Sequence, residues 1–338
     1  MTATARSAYY LTMADWAKRT KPDGGIDDVI DVLSGSNPII ADANTMEGNL
    51  TTGHQYTHRS SDPAGSWRLL NYGVQPEKST TEQYTDFCAI LETYSEVDVR
   101  VAQLNGDEAA FRKSEDDAFV SGLPDTVATA MFYANHNTDP EQPHGLAPRY
   151  GSLTGSRASQ IVNAGGSGDD NTSIWLVTWG PKTCSMIYPK GSKVGLQVRD
   201  LGESTITDSG GLKHQAYVTH FTWDIGLALV DPRYVIRICN IDVSDLQPDA
   251  ASGADLVDYM ISAWSARPTK AVSMVRAGMA KTFWYCNKTV FEYLWKQSRS
   301  PNNVALRQDM VEGEPIVSFG GAPIHICDAL VSTEATVS

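Results

Sequence analysis

The spacing of apolar residues along this chain changes period several times, and each change marks a different kind of element. Near the start, Thr12-Met-Ala-Asp15 has the spacing of a capping box with Asp in place of Glu, and Lys21-Pro-Asp-Gly-Gly25 stops the helix it opens. Ile26, Val29, Ile30 and Leu33 then share one face of a second short helix. Helices this short are not stable alone in water, so both need a surface to lie on, in this subunit or another. From about Asn44 to Tyr94 the pattern becomes extended. One ribbon, EGNLTTGHQYTHRSS, begins at Glu47, and a second begins at Trp67. Between them SSDPAGS (Ser60–Ser66) reads as the turn of a long hairpin. Large apolar residues are few before Cys88. A two-stranded ribbon is marginal by itself, so its order is expected to come from contacts outside its own domain.

Asn105-Gly-Asp-Glu108 reads as a helix start with Asn105 as N-cap. Phe111, Ala118, Phe119, Leu123, Val127, Ala130 and Met131 then recur at three- and four-residue steps, predicting a long helix over 106–133. Pro124 predicts a kink or break within it, and RKSEDD (Arg112–Asp117) its solvated face. After a Gly-, Ser- and Asn-rich loop (156–172) come strands SIWLVTWG, CSMIYP, VGLQVRDLG, QAYVTHFTWDIGLALVD and RYVIRICNID. Beyond Asn240 the pattern alternates again. A helix capped by Ser252 puts Leu256, Tyr259, Met260, Ala263 and Trp264 on one face and ends at Arg267-Pro268. Strand KTFWYCN follows, then a helix capped by Asn287 that carries Val290, Phe291, Leu294 and Trp295, then strands PIVSF and APIHICDAL. No internal repeat of fixed period is present.

The chain has 338 residues, is 41% hydrophobic and carries a net charge of −13. Its length allows two compact units, or one domain with large excursions, and its composition is that of a folded protein. No apolar run is long enough to span a bilayer and the start has no apolar leader, so synthesis in the cytoplasm is expected. Acidity argues against a sequence-reading nucleic-acid binder. The small basic cluster Arg6, Lys18, Arg19 and Lys21 reads as a solvated helix end. The 5 cysteines are scattered without any C-x-x-C, and read as buried thiols rather than a zinc or redox framework.

Motifs for phosphate binding, dinucleotide binding, a nucleophile elbow or a helical zinc site are missing. GGSGDD and DSGG lack the lysine and context of a phosphate loop and read as turns. His54 and His58 fall on one face of an extended ribbon, about 13 Å apart by strand geometry. His214 and His220 bracket a strand, and His325 reads as a satisfied core residue. The neighbouring acids Asp116/Asp117 and Asp169/Asp170 do not converge as acid–base catalysis requires. No enzyme, catalytic residue, metal or cofactor is predicted.

An ordered set of segments spanning nearly the whole chain nonetheless resembles a known family. These are GNLTTGH (Gly48–His54), WRLLNYGVQPEKSTT (Trp67–Thr81), ETYSEVD (Glu92–Asp98), LNGDEAAFRKSED (Leu104–Asp116), MFYAN (Met131–Asn135), GLAPRY (Gly145–Tyr150), YPKGSKVGL (Tyr188–Leu196) and DPRYVIRICNID (Asp231–Asp242). They resemble the major capsid protein of short-tailed double-stranded DNA bacteriophages. The resemblance implies an α+β fold of the tailed-phage, Hong Kong 97-type, kind. It implies an N-terminal arm (1–43), an extended loop (44–94), a peripheral domain (95–244) with its spine helix at 106–133, and an axial domain (245–338). The β-rich block precedes the α/β lobe, which suggests a rearranged strand order within that architecture.

The same resemblance implies a structural protein that assembles with itself into pentamers and hexamers of an icosahedral shell around double-stranded DNA. Scaffold, cementing and portal proteins are the partners it suggests, with only non-specific proximity to DNA and no membrane. The hairpin is then expected to lie across a neighbouring subunit, through Trp67, Leu69, Leu70 and Tyr72 and the charges Arg59, Arg68 and Lys78. Lys78 also matches by type the lysine that some relatives use for covalent cross-linking, but no matching motif accompanies it. Two alternatives stand beside this reading: a nanocompartment shell of the same fold, and a virion-associated hydrolase.

Overall fold

The strand Asn171–Trp179 is buried at every position, because it is the wall between two apolar clusters. Trp175, Val177 and Trp179 face one cluster, while Ile174 and Leu176 face the other. A strand covered on both sides reads as a nearly continuous apolar run, which is why SIWLVTW shows no alternation. The computed structural model describes residues 37–104, 106–207, 210–248, 253–298, 306–311 and 314–338. The two arm helices, the basic cluster from Arg6 to Lys21, Asn105 and Ser252 lie outside the described residues.

In chain order the strands are β1 (Thr45–Glu47), β2 (Gly53–Ser61), β3 (Thr80–Asp98), β4 (Ile161–Asn163), β5 (Asn171–Trp179), β6 (Cys184–Tyr188), β7 (Gln197–Thr207), β8 (Lys213–Leu229), β9 (Val235–Asp242), β10 (Lys281–Cys286), β11 (Leu306–Val311), β12 (Glu314–Phe319) and β13 (Ala322–Ile326). Among the described residues they form one 13-stranded sheet whose main path is β11-β12-β13-β10-β5-β6-β8-β3-β2. Strand β7 pairs β8, β1 pairs β6, and β9 joins β4 to β5. The helices are α1 (Ile39–Asp42), α2 (Val99–Gln103), α3 (Glu108–Tyr133), α4 (Leu146–Arg149), α5 (Leu256–Ser265), α6 (Lys270–Arg276) and α7 (Lys288–Ser298). Helix and sheet together make the fold α+β, as the sequence predicts.

Helix α3 lies on the sheet through Leu123, Val127, Met131 and Phe132, with Phe119 stacked on Phe221 of β8 at 5.6 Å between centroids. The sequence predicts a kink or a break at Pro124, and the helix runs through that position unbroken. The lost hydrogen bond and ring clash cost about 3 kcal/mol, and burial of Leu123 and Val127 on either side offsets that cost. Ala118 is exposed, not on the apolar face as its spacing suggested. The RKSEDD face is not merely solvated either. Arg112 pairs with Asp200 of β7 at 2.7 Å, and Asp116 accepts a hydrogen bond from Thr219 of β8. Asp107 caps α3 through Ala110 N, and Asp255 caps α5 through Asp258 N, in place of the predicted Asn105 and Ser252. Asn287 caps α7 as read, accepting from Val290 N at 2.8 Å.

The second cluster packs α5 and α7 against the other face of the sheet. Leu256, Met260 and Ala263 meet Val290, Leu294, Trp284 and Phe319 there. The C-terminal segment is stitched across the first cluster by a buried pair. Arg237 Nη2 donates to Glu334 Oε2 at 2.7 Å, with both side chains 4% exposed. Ser173 Oγ also donates to Glu334, and Tyr133 OH donates to its other oxygen at 2.5 Å.

Candidate assembly hairpin and its buried anchor

Strand β3 has two halves with different partners. Thr80 to Phe87 pairs with β2, while Cys88 to Asp98 pairs with β8 in the body of the sheet. The sequence marks the switch: the half before Cys88 is mostly polar, and the half after it carries Leu91 and Val97 into apolar clusters. One continuous strand therefore carries the hairpin outward from a packed base. Along the hairpin, His54, Tyr56 and His58 share a face, as strand alternation predicts, and Tyr84 lies directly opposite Tyr56. Their rings form a ladder with centroids 5.1 to 6.2 Å apart. Such cross-strand aromatic pairs stabilise a ribbon that has little else to bury. His58 also hydrogen-bonds the Val230 carbonyl.

The base is held by an ion pair that sequence reading missed. Arg149 of α4 lies 2.8 Å from Asp86, with the two side chains 4% and 8% exposed. Asp86 also accepts from Tyr56 OH and from Leu229 N, each at 2.9 Å. Arg149 donates further to the carbonyls of His144, Gly145 and Leu227. This one pair ties both hairpin strands, β8 and the start of α4 together. Burial opposes the Arg149 charge, but Asp86 more than compensates and leaves its pKa raised. His144, beside it, is pushed down to about 4 by burial and then by the Arg149 charge. Burial lowers His54 as well, against the opposing pull of Asp86, and raises the Tyr56 phenol. Backbone contact is equally close here. A Cβ at Gly53 would sit 2.0 Å from the Asp86 carbonyl oxygen, so only glycine fits where β2 meets β3.

The hairpin does not turn at 60–66, as the sequence predicts. Pairing ends at Ser61 and Thr80, and residues 62–79 form one long loop. WRLLNYG is thus loop, not ribbon. Its shape comes from local bonds: Glu77 accepts from Ala64 N and Gly65 N, and Tyr72 N donates to the Leu69 carbonyl over Asn71 at φ 70°. Of the residues predicted for assembly, Trp67, Leu69, Leu70 and Tyr72 all lie here, and Trp67 is fully exposed. They belong to none of the apolar clusters. Arg68 donates to the Tyr72 carbonyl at 3.1 Å, and Arg59 pairs with Asp62 at 3.4 Å in solvent. Lys78 is exposed at the loop's far end. The structure thus joins Arg68 to Tyr72 and leaves Arg59 and Lys78 at the two ends of the loop.

Two of the histidines and the cysteines singled out in the sequence are absorbed into packing. His220 stacks on Tyr94 at 4.4 Å, and His325 Nδ1 lies 2.6 Å from Asp42. Cys184, Cys239, Cys286 and Cys327 are buried, while half-buried Cys88 has its thiol pushed up to about 12, chiefly by burial. Among the described residues no cluster of three or more His, Cys, Asp or Glu side chains is arranged to hold a metal. No helix among them is long and apolar enough to cross a membrane.

A family model described as major capsid protein GP7 matches residues 21–338. The chain belongs to that family. A chain in the cryo-EM structure of bacteriophage Epsilon15 is 33% identical, with 97% of each chain covered and a TM-score of 0.77. Slighter likenesses join the capsid of a native GTA particle (9% identity, 71% and 98% covered, TM-score 0.45) and the SrpI encapsulin of Synechococcus elongatus (9%, 71% and 95%, TM-score 0.42). These last two carry no weight for function. Curated proteins gave no match. The α+β architecture is therefore that of a tailed-phage major capsid protein, and the chain is a structural protein that assembles with itself into a viral shell.

Proposed function

We propose that this capsid protein gathers into pentamers and hexamers of an icosahedral shell around double-stranded DNA, and that loop 62–79 reaches from each copy onto a neighbour. The observation that carries this reading is the exposure of Trp67, Leu69, Leu70 and Tyr72 at the end of a ribbon whose base is locked by a buried ion pair. Apolar side chains grouped on an exposed loop mark a contact surface. A rigid base aims that surface while the loop itself adapts, which suits one chain to several slightly different positions in a shell.

In this reading residues 1–43 are an arm, 44–94 the extended loop, 95–244 the peripheral domain and 245–338 the axial domain. The protein is made in the host cytoplasm, acts without enzymatic activity or cofactor, and meets scaffold, portal and cementing proteins during assembly. The net charge of −13 suits containment of DNA better than tight binding to it. Replacing residues 63–76 with a short Gly-Ser link tests the loop's role. The expected product is a folded subunit, by circular dichroism, that closes no shells. Normal shells from that variant would end the reading.

A further inference from the structure

The turn GGSGDD (165–170) folds against the end of β9. Gly166 N donates to the Asn240 carbonyl at 2.9 Å, and Val243 N to the Asp170 carbonyl at 3.2 Å. Asp170 thereby converges with Asp242 rather than with its sequence neighbour. Ser244 orients both carboxylates: its N–H is shared between Asp170 Oδ2 and Asp242 Oδ1 at 2.9 and 3.0 Å, and its hydroxyl donates to Asp242 Oδ1 at 2.7 Å. The two other oxygens meet. Asp170 Oδ1 and Asp242 Oδ2 each lie 2.9 Å from the point where a Cβ of Gly168 would stand. Among the described residues no basic side chain forms an ion pair with either acid.

A buried acceptor faces the same turn. Asn171 is fully buried, and its Nδ2 donates to the Gly168 carbonyl at 2.6 Å and to Thr336 Oγ1 at 3.2 Å. Its Oδ1 has no hydrogen-bond partner. It points toward Gly166, where a Cβ would stand 2.9 Å from it, 2.6 Å from the Asn240 carbonyl oxygen and 2.9 Å from Asp242 Cβ. A buried oxygen without a donor is costly, and a cation satisfies it. Glycine at 166 and 168 keeps open the space that two methyl groups would fill.

We propose that this turn binds a calcium ion through the Asp170 and Asp242 carboxylates, with Asn171 Oδ1 and the Asn240 carbonyl as neutral donors. Calcium takes about six to eight oxygens at about 2.3–2.6 Å and accepts carboxylate, amide, backbone and water oxygens in flexible geometry. Two carboxylates with amide and carbonyl oxygens suit it, whereas zinc favours the nitrogen and sulfur ligands that this turn lacks. The Ser244 hydroxyl, donating to Asp242, helps hold that carboxyl below its ordinary range and so charged at neutral pH. The ion also secures the chain end. Glu334 N donates to the Asn171 carbonyl at 2.9 Å, and Asn240 exchanges two hydrogen bonds with Val337.

The test uses the full-length subunit, stripped with a chelator and dialysed against radioactive calcium at physiological salt. One ion per chain is expected, with Kd on the order of 10⁻⁴–10⁻³ M. Calcium at ten or more times Kd should raise Tm by roughly 2–5 °C. Asp242→Asn keeps the shape and should weaken binding at least about ten-fold. Gly168→Ala keeps every charge but fills the site, and should do the same. Asp117→Asn, an exposed acid elsewhere, should bind as the parent does. Circular dichroism confirms that each variant is folded. No saturable calcium in the parent chain overturns the proposal. So does equal uptake by folded Asp242→Asn and Gly168→Ala, which marks diffuse counterions on an acidic surface. An equal response to magnesium overturns the calcium assignment. If calcium does nothing while Asp242→Asn raises Tm, the two acids share a proton and the site is not a cation site.

Discussion

Replacing Arg149 with Met removes one charge from the hairpin base and leaves the methylene stem roughly in place. Asp86 then stays buried, 8% exposed, with only Tyr56 OH and Leu229 N as donors. The carbonyls of His144 and Leu227 lose their guanidinium donor as well. Breaking a buried pair from one side costs about 3–5 kcal/mol, because the surviving charge is left uncompensated. Set against a total stability of about 5–15 kcal/mol, that is a large fraction. Adding Asp86→Asn removes the orphaned charge, so the double variant should recover at least about 2 kcal/mol relative to the sum of the single changes. Denaturant unfolding of the unassembled subunit, followed by circular dichroism, measures all four corners of this cycle. Limited proteolysis should also show the hairpin base opening in the single variants before the body does. A loss under about 1 kcal/mol for Arg149→Met, or strict additivity of the two changes, would refute the anchor as the element that fixes the hairpin.

Three further outcomes follow from the same geometry. His144, held near 4 in the fold against about 6.5 unfolded, is neutral when folded and takes up a proton on unfolding. Its contribution is thus present above pH 6.5 and lost as pH falls through 4, with a slope of at most about 1.4 kcal/mol per pH unit, lessened by partial exposure. His144→Gln should flatten that part of the stability–pH profile, and an unchanged profile would contradict the assignment. Glu334→Ala orphans Arg237 at 4% exposure, so it should cost about 3–5 kcal/mol in denaturant unfolding although Glu334 sits near the chain end. Trp67, fully exposed, should emit at long wavelength in the free subunit and shift to shorter wavelength on assembly. The difference spectrum against Trp67→Phe isolates it, and an unshifted signal in closed shells would argue against its burial between copies.

What the sequence made legible were the elements whose signal is local. The faces of α5 and α7 follow from residues three and four apart, and the cap of α7 from one Asn three residues before Val290. Capping was misplaced where two candidates lay close together, as at Asp107 and Asp255, since either fits the same short pattern. The extent of loop 62–79 was hidden because Thr and Tyr around it favour strand, while Glu77 and Asn71 shape it through bonds that no periodicity records. The anchor was invisible for a different reason. Asp86 sits in a polar ribbon and Arg149 in a short loop-like stretch, and nothing local tells either that the other will neutralise it. The same holds for Arg237 and Glu334, paired across 97 residues. Further bonds hold the same C-terminal segment, among them Asn240 to Val337 and Asn287 to Ser332.

The most direct measurement is electron microscopy of the purified, assembled protein at a resolution that traces loop 62–79. The account predicts closed shells with five- and six-fold clusters, in which Trp67, Leu69, Leu70 and Tyr72 of each copy are buried against a neighbour. Closed shells in which that loop stands free in solvent, or folds back on its own subunit, would contradict it.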